Sequence, residues 1–284
     1  MNILDRSKRS LILRCLTEGN GIRPTARLAD CSINTVMKLF LQAGESCQTL
    51  HSRMVKNLKT KHVQCDEIWS FVGKKKKRAS AGDRLAGLGD AWTWFAIDAD
   101  ARLIISYVVG ARSAENAFRL IYDCRERIAT KEHVQITTDQ LKFYVNPIHA
   151  AFIGEADFAQ LHKIYGTELI PGSAGRYSPA QFMGSRRTVV NGSPDPGHIS
   201  TSYVERVNLT LRMQNRRFTR LTNGHSKKFQ NHELSVALSV WNYNFCRVNT
   251  THRVTPAMEA GIADKVWSLD DLIAYMDSPA PQAK

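Results

Sequence analysis

The sequence predicts an α/β protein: a mixed β-sheet flanked by helices, preceded by a small all-α unit at the N-terminus. Three observations predict it. In the first 45 positions apolar residues recur at helical spacing, in three short blocks separated by turn residues. From Val63 to Val109 the pattern changes to β-rich runs joined only by turns. Beyond Val109 helical and strand-like segments alternate, the order that carries a chain across a sheet and back. At 284 residues the chain exceeds one average domain, so one main domain and one smaller one are expected.

Taken in order, Leu11, Ile12, Leu13 and Leu16 make a first helix that ends near Gly19-Asn20-Gly21. Pro24 opens a short second helix carrying Ala26, Leu28 and Ala29, and Ser32 caps a third, Ile33 to Gln42, stopped by Gly44. That spacing is the one a helix-turn-helix uses, so residues 1–45 are expected to read DNA, with Asn34, Thr35 and Lys38 toward the major groove. Any small three-helix bundle carries the same signature. Residues 46–62 hold Arg53, Lys56, Lys59 and Lys61 and no acid, and read as a basic linker or short helix. Residues 63–250 form the main domain and 251–284 a C-terminal tail.

In the main domain Val63 to Val72 is a strand. Its alternation sets Cys65, Glu67, Trp69 and Phe71 on one face and Asp66, Ile68 and Val72 on the other, so only one of the adjacent acids is expected in any site. After Gly73 come Lys74, Lys75, Lys76, Lys77 and Arg78, five successive cations at a hairpin tip, suited to phosphate or simply to solvent. Trp92 to Ile97 and Leu103 to Val109 are two further strands. Ser113 caps a helix running to about Ile128, and Val134 to Thr138 is a fourth strand with Asp139 at its carboxyl end. Helical residues follow, including Lys142 and Tyr144. Thr167 to Ile170 reads as a fifth short strand, and 172–198, rich in Gly, Ser, Pro and Arg, as a loop bearing Arg186 and Arg187. A helical segment after Ser200 and a last helix around Asn231 to Val248 complete the domain. The tryptophans are expected in the core.

The formal net charge of +13 makes a phosphate polymer the leading partner class. A spanning helix is not expected, because the longest apolar run, Leu103 to Ala111, is about half the ~20 residues required. Charged residues at the N-terminus do not suit a secretory signal, and the six cysteines show no Cys-x-x-Cys pair or zinc spacing. A reduced, cytoplasmic setting is the simple reading of that cysteine usage.

The stretch Ile199 to Arg212 concentrates the chemistry. At 3.6 residues per turn Tyr203, Val204, Val207 and Leu211 face a core, while Glu205, Asn208, Arg212 and Arg216 run along another flank. From Arg206 to Lys228 there are seven basic residues (206, 212, 216, 217, 220, 227 and 228) and no acid. One acid heading so basic a segment suggests that Glu205 holds a metal ion and the cations behind it a polyanion. The competing reading is a capping box, Ser202-x-x-Glu205.

Asp66-Glu67-Ile68-Trp69-Ser70-Phe71-Val72-Gly73 resembles the first acidic motif of DDE-type insertion-element transposases, particularly the insertion-sequence-one family. Asp139 with Tyr144 resembles the second. Glu205-Arg206-x-Asn208-Leu209, with Arg212, Arg216, His225-Ser226-Lys227 and His232, resembles the third. Asp139 lies 73 residues after Asp66 and Glu205 lies 66 after Asp139. Relatives often carry an N-terminal zinc-binding cysteine segment, which this chain lacks.

The resemblance implies an RNase H-like fold and a recombinase that cuts and joins DNA ends. Asp66, Asp139 and Glu205 would be catalytic residues and metal ligands. Lys74 to Arg78, Lys142, Arg206, Asn208, Arg212, Arg216, Arg217, Arg220 and Lys227 would contact DNA. Convergent carboxylates raise each other's pKa, and a divalent cation with hard oxygen ligands, Mg²⁺ or Mn²⁺, relieves this. Two ions about 3.5–4 Å apart are expected. The partner the resemblance implies is double-stranded DNA, the element ends and the target, with a homodimer or higher assembly expected in the DNA complex. The alternatives are a non-catalytic helix-turn-helix regulator and a nuclease without strand transfer.

Overall fold

The computed structural model describes residues 4–129, 133–166 and 181–278. Three helices come first, α1 (Arg6–Thr17), α2 (Ile22–Leu28) and α3 (Ile33–Met54). Ser32 caps α3 as expected, its hydroxyl accepting from Thr35 N at 3.1 Å. Gly44 does not end it. A Cβ there would lie 2.7 Å from Leu234 Cβ and 2.9 Å from the Leu234 carbonyl, so the glycine lets α3 cross closely over a later helix. α3 continues to Met54, and the first part of the expected basic linker is helix, with Cys47, Leu50 and His51 buried.

Six strands follow, β1 (His62–Val72), β2 (Gly89–Asp98), β3 (Ile104–Gly110), β4 (Val134–Thr138), β5 (Ala156–Gly166) and β6 (Gln181–Asn191). They form one mixed sheet in the order β3-β2-β1-β4-β5-β6. β1, β2 and β3 are an antiparallel meander, β4 lies parallel to β1 and β5 parallel to β4, and β6 returns antiparallel on the edge. α4 (Ala81–Leu85) sits in the β1–β2 connection, α5 (Ala114–Arg127) links β3 to β4, and α6 (Val145–Ala151) links β4 to β5. Then come α7 (Ser202–Gln214), α8 (Phe229–Trp241), α9 (Pro256–Glu259) and α10 (Leu269–Asp277).

Two expectations change in the β5–β6 region. Residues 167–170, expected as the fifth strand, lie outside the described residues; the observed fifth strand is Ala156–Gly166. Residues 181–191, expected as loop, are β6. β6 is exposed on both faces, so burial leaves no alternation in its sequence, and only its ladder to β5 makes it a strand.

Each face of the sheet has its own core. Val63, Cys65, Trp94 and Ala96 face α5, whose Ala117, Leu120, Ile121 and Cys124 are buried against them. Ile68, Phe95, Ile97 and Ile104 face α7 and α8 through Val204, Val207, Leu211, Val236 and Val240. α8 is apolar nearly all round because it is packed on both sides, against that second core and against α3. Trp94 and Trp241 are core as expected; Trp69 and Trp92 are only half-buried. All six cysteines are free, and among the described residues no helix is long and apolar enough to cross a membrane.

Candidate active site

Parallel pairing of β1 with β4 sets Cys65 opposite Thr138, so the next residues along, Asp66 and Asp139, emerge side by side. β4 stops at Thr138, and Asp139 turns the chain: its carboxylate accepts from Leu141 N at 2.9 Å while Gln160 Nε2 donates to its carbonyl. Asp66 points to the α7 face. There Asn208 Nδ2 donates to Asp66 Oδ2 at 2.8 Å. Glu205, one turn before Asn208 on α7, opens onto the same cleft, of about 490 Å³, lined also by Arg112, Leu161, His162, Lys163, Tyr165 and Thr201. Asp66, Asp139 and Glu205 therefore share one cleft.

Glu67, which strand alternation sets apart from Asp66, does not line the cleft but comes close to Asp66 and Asp139 from behind. It projects from the opposite face of β1, where Arg112 Nε donates to it at 2.8 Å and Tyr144 Oη at 3.1 Å. Because β4 has already ended, no strand separates the two faces at this point. Carboxylate oxygens of Asp66, Glu67 and Asp139 come within 4.8 Å of one another, so the rule that adjacent strand residues exclude each other fails at the sheet's internal end. Burial, then the charges of Glu67 and Asp139, push the Asp66 carboxyl up to about 7. Burial chiefly, then Asp139, raises Glu67, against the pull of Arg112; burial chiefly raises Asp139. The three carboxylates are crowded and under-neutralised.

Glu205 is neutralised from across the cleft. Lys163 Nζ of β5 donates to Glu205 Oε1 at 2.6 Å, and Thr201 Oγ1 donates to the same oxygen at 2.7 Å. The capping-box alternative is not what forms, since Ser202 N donates to Ser200 Oγ and α7 begins after Thr201. The α7 N-terminus is capped instead by Gln64 of β1, whose Oε1 accepts from Tyr203 N at 3.0 Å and Val204 N at 3.2 Å. Gln64 lies two residues before Asp66 on the same face, so a single side chain sets the height of α7, and with it Glu205, over the strand. Nothing local in the sequence marks Gln64 or Lys163: both act across distances only the sheet defines.

The expected basic residues are spread over several surfaces. Arg212 is half-buried, near enough to Asp66 to feel its charge, and burial chiefly, then Arg220, lowers its pKa. Arg206, Arg220 and Lys142 are exposed. α7 ends at Gln214, so Arg216 lies in a following turn and does not extend the flank of Glu205, Asn208 and Arg212. Arg217 is turned inward, 4.5 Å over the Phe40 ring, where burial brings its pKa down to about 10. Lys74 pairs with Asp83 at 3.0 Å, Lys75 lies over Trp69 and Phe71, and Lys76, Lys77 and Arg78 are exposed at the far end of β1 from Asp66. Lys227 is exposed beside His225. Asn34 and Lys38 are exposed at the start of α3, whereas Thr35 bonds to Ser32. Tyr203, expected in the core, is exposed.

Two histidine sites do structural work. His232 is fully buried, with Nε2 donating to Ser70 Oγ, which itself donates to Ala91 O, and Nδ1 accepting from Ser226; burial holds its pKa near 3. His62, Asp100 and His198 cluster on the surface, but the two imidazoles stack 3.7 Å apart at 3°. Lone pairs in parallel ring planes do not converge on one ion, so this group fits a stacked ion-pair cluster better than a metal centre.

No family model matches the chain, and no curated protein does. Matches among solved structures include the Mos1 strand transfer complex (13% identity, TM-score 0.26, covering 86% of this chain and 78% of that one). A pre-cleavage Mos1 transpososome is also matched (12%, TM-score 0.26, 85% and 79%). So is a Mos1 mariner paired end complex with Mn (11%, TM-score 0.29, 86% and 79%). At these scores the likeness carries no weight for fold or function.

Proposed function

We propose that the chain is a DDE-type transposase of an insertion sequence. It binds the element's ends and cuts and joins DNA strands with divalent metal, through Asp66, Asp139 and Glu205. One observation carries the reading: three acids from β1, the end of β4 and the first turn of α7 open onto one cleft in a chain of net charge +13. An antiparallel three-strand meander followed by two parallel strands, in the order 3-2-1-4-5, supports the RNase H-like assignment. A purely regulatory DNA binder has no use for buried carboxylates whose charges oppose one another.

The donor set fits a hard divalent cation. Asp66 and Asp139 offer only oxygen, within 4.8 Å of each other and of Glu67, and burial leaves their charge uncompensated. Mg²⁺ or Mn²⁺, when bound, supplies Lewis-acid activation of the attacking oxygen and charge stabilisation of the leaving one. Asn208 fixes the Asp66 carboxylate, Gln64 fixes the approach of α7, and Thr201 orients Glu205. Lys163 holds Glu205 until cation or phosphate enters and is then free to contact phosphate. Arg112 lines the cleft and Arg212 lies close enough to Asp66 to feel its charge, so both would hold the phosphodiester. Exposed Arg206, Arg220, Lys142 and Lys227 track the flanking backbone. In the helix-turn-helix reading of α2 and α3, Asn34 and Lys38 face the element end.

The test uses duplexes carrying the inverted repeats that flank the coding region, incubated with Mg²⁺ and a target plasmid. Asp66→Asn, Asp139→Asn and Glu205→Gln should each abolish cut and joined products while binding in EDTA persists. Cleavage by Glu205→Gln at the wild-type rate would remove Glu205 from the triad. Cut ends without joined products would make the chain a nuclease.

A further inference from the structure

The face of β1 that carries Glu67 continues outward as a row of aromatic rings. Trp69 and Trp92 sit directly opposite each other in the β1–β2 register. Phe71 follows Trp69 with ring centroids 5.8 Å apart, and His225 lies 4.4 Å from Phe71. The reverse face of the same strands is closed, with Ile68, Ser70 and Val72 all buried. On the aromatic face α5 begins at Ala114 and covers Trp94, while Trp69, Phe71 and Trp92 remain partly open. The solvated side of an antiparallel pair is ordinarily polar.

Cations line the row. Arg112 stands 4.8 Å over Trp92, Lys75 Nζ is 5.6 Å from the Trp69 ring and 5.8 Å from Phe71, and Lys227 Nζ is 2.6 Å from His225 Nε2. Arg112 also lines the cleft that holds Asp66, Asp139 and Glu205 and pairs with Glu67. Arg112 therefore joins the near end of the row, at Trp92, to the rim of the cleft.

Resting on the proposed function, we propose that this row binds unpaired nucleobases of the DNA strand that leaves the cleft, each base stacking on an aromatic ring while Arg112, Lys75 and Lys227 hold its phosphates. A base within a duplex offers only its edges, whereas an unpaired base offers a π-face to which any aromatic can stack. The charge pattern fixes the occupant's chemistry: three cations around half-open rings complement a polyanion with flat apolar faces and repel a second copy of the same basic row. A Trp–Trp cross-strand pair kept for sheet stability alone is the rival explanation.

The experiment measures binding of the full chain, in EDTA so that no strand is cut, to three DNAs carrying the element's end. One is fully paired, one has four terminal nucleotides unpaired, and one has the same fork with those nucleotides abasic. The fork should bind about 5- to 100-fold more tightly than the duplex and quench tryptophan fluorescence, and the abasic fork should lose that gain. Trp69→Leu and Trp92→Leu should lose it as well with duplex affinity unchanged, and Trp69→Phe should keep most of it. Equal affinity for fork and duplex, or an abasic fork that binds as well as the intact one, overturns the proposal even if the leucine variants fold poorly. Absence of binding to all three DNAs would overturn the proposed function along with it.

Discussion

At Asp66, folding works against ionisation. Its carboxyl, normally near 3.8, titrates at about 7 in the folded chain because it is buried beside Glu67 and Asp139. A folded pKa above the unfolded one means that the native state favours the protonated acid. The associated stability is present below about pH 4 and lost as pH rises through 7. Metal-free protein should therefore unfold more easily at pH 8 than at pH 5, and Asp66→Asn should remove much of that slope and raise stability at pH 8. A shift of this size corresponds to at most about 4 kcal/mol. Urea midpoints across that pH range in EDTA measure it, and an unchanged slope in the variant would show that Asp66 is not the buried charge. Mn²⁺ should raise the wild-type midpoint at pH 8 and have a smaller effect on the variant. Of the site's residues, Asp66, Asp139, Glu205 and Asn208 are legible as motifs. Strand alternation separates Glu67 from Asp66, and the two come together with Asp139 because β4 ends one residue too early to separate the faces.

At the scale of elements, the start of each helix is written locally, and its end and its place often are not. Ser32 and Ser113 cap α3 and α5 where side-chain chemistry predicts. Gly44 has the sequence look of a helix stop yet serves a helix crossing, because Leu234 of α8 occupies the space a side chain would need. Gly44→Ala should thus destabilise by about 1–3 kcal/mol, the usual cost of overpacking, although alanine is the better helix former. Chemical denaturation checks the sign. β6 was invisible for the opposite reason, having no buried face to imprint an alternating pattern. α7 is placed by Gln64, 138 positions before Ser202, a contact that exists only once β1 is in the sheet.

Across the whole molecule, a charge of +13 predicts that DNA affinity falls steeply with salt. Arg206→Ala, on the exposed flank of α7, should reduce the slope of log affinity against log salt by about 1. Arg217→Ala should leave the slope alone and lower stability instead, since its guanidinium packs over Phe40. The same two measurements reversed would mean that the inward packing of Arg217 does not hold in solution. Composition and periodicity by themselves determined an α/β chain with a basic surface, a helical N-terminal unit and three separated acids, because burial and charge leave a local imprint on residue order. Only the tertiary structure decided that the three acids line one cleft, that Glu67 rather than Glu205 comes within 4.8 Å of the other two, and that Gln64, Lys163 and Arg112 hold the side chains around them. Those outcomes depend on strand register and on where β4 stops, and both are settled by contacts between segments tens of residues apart.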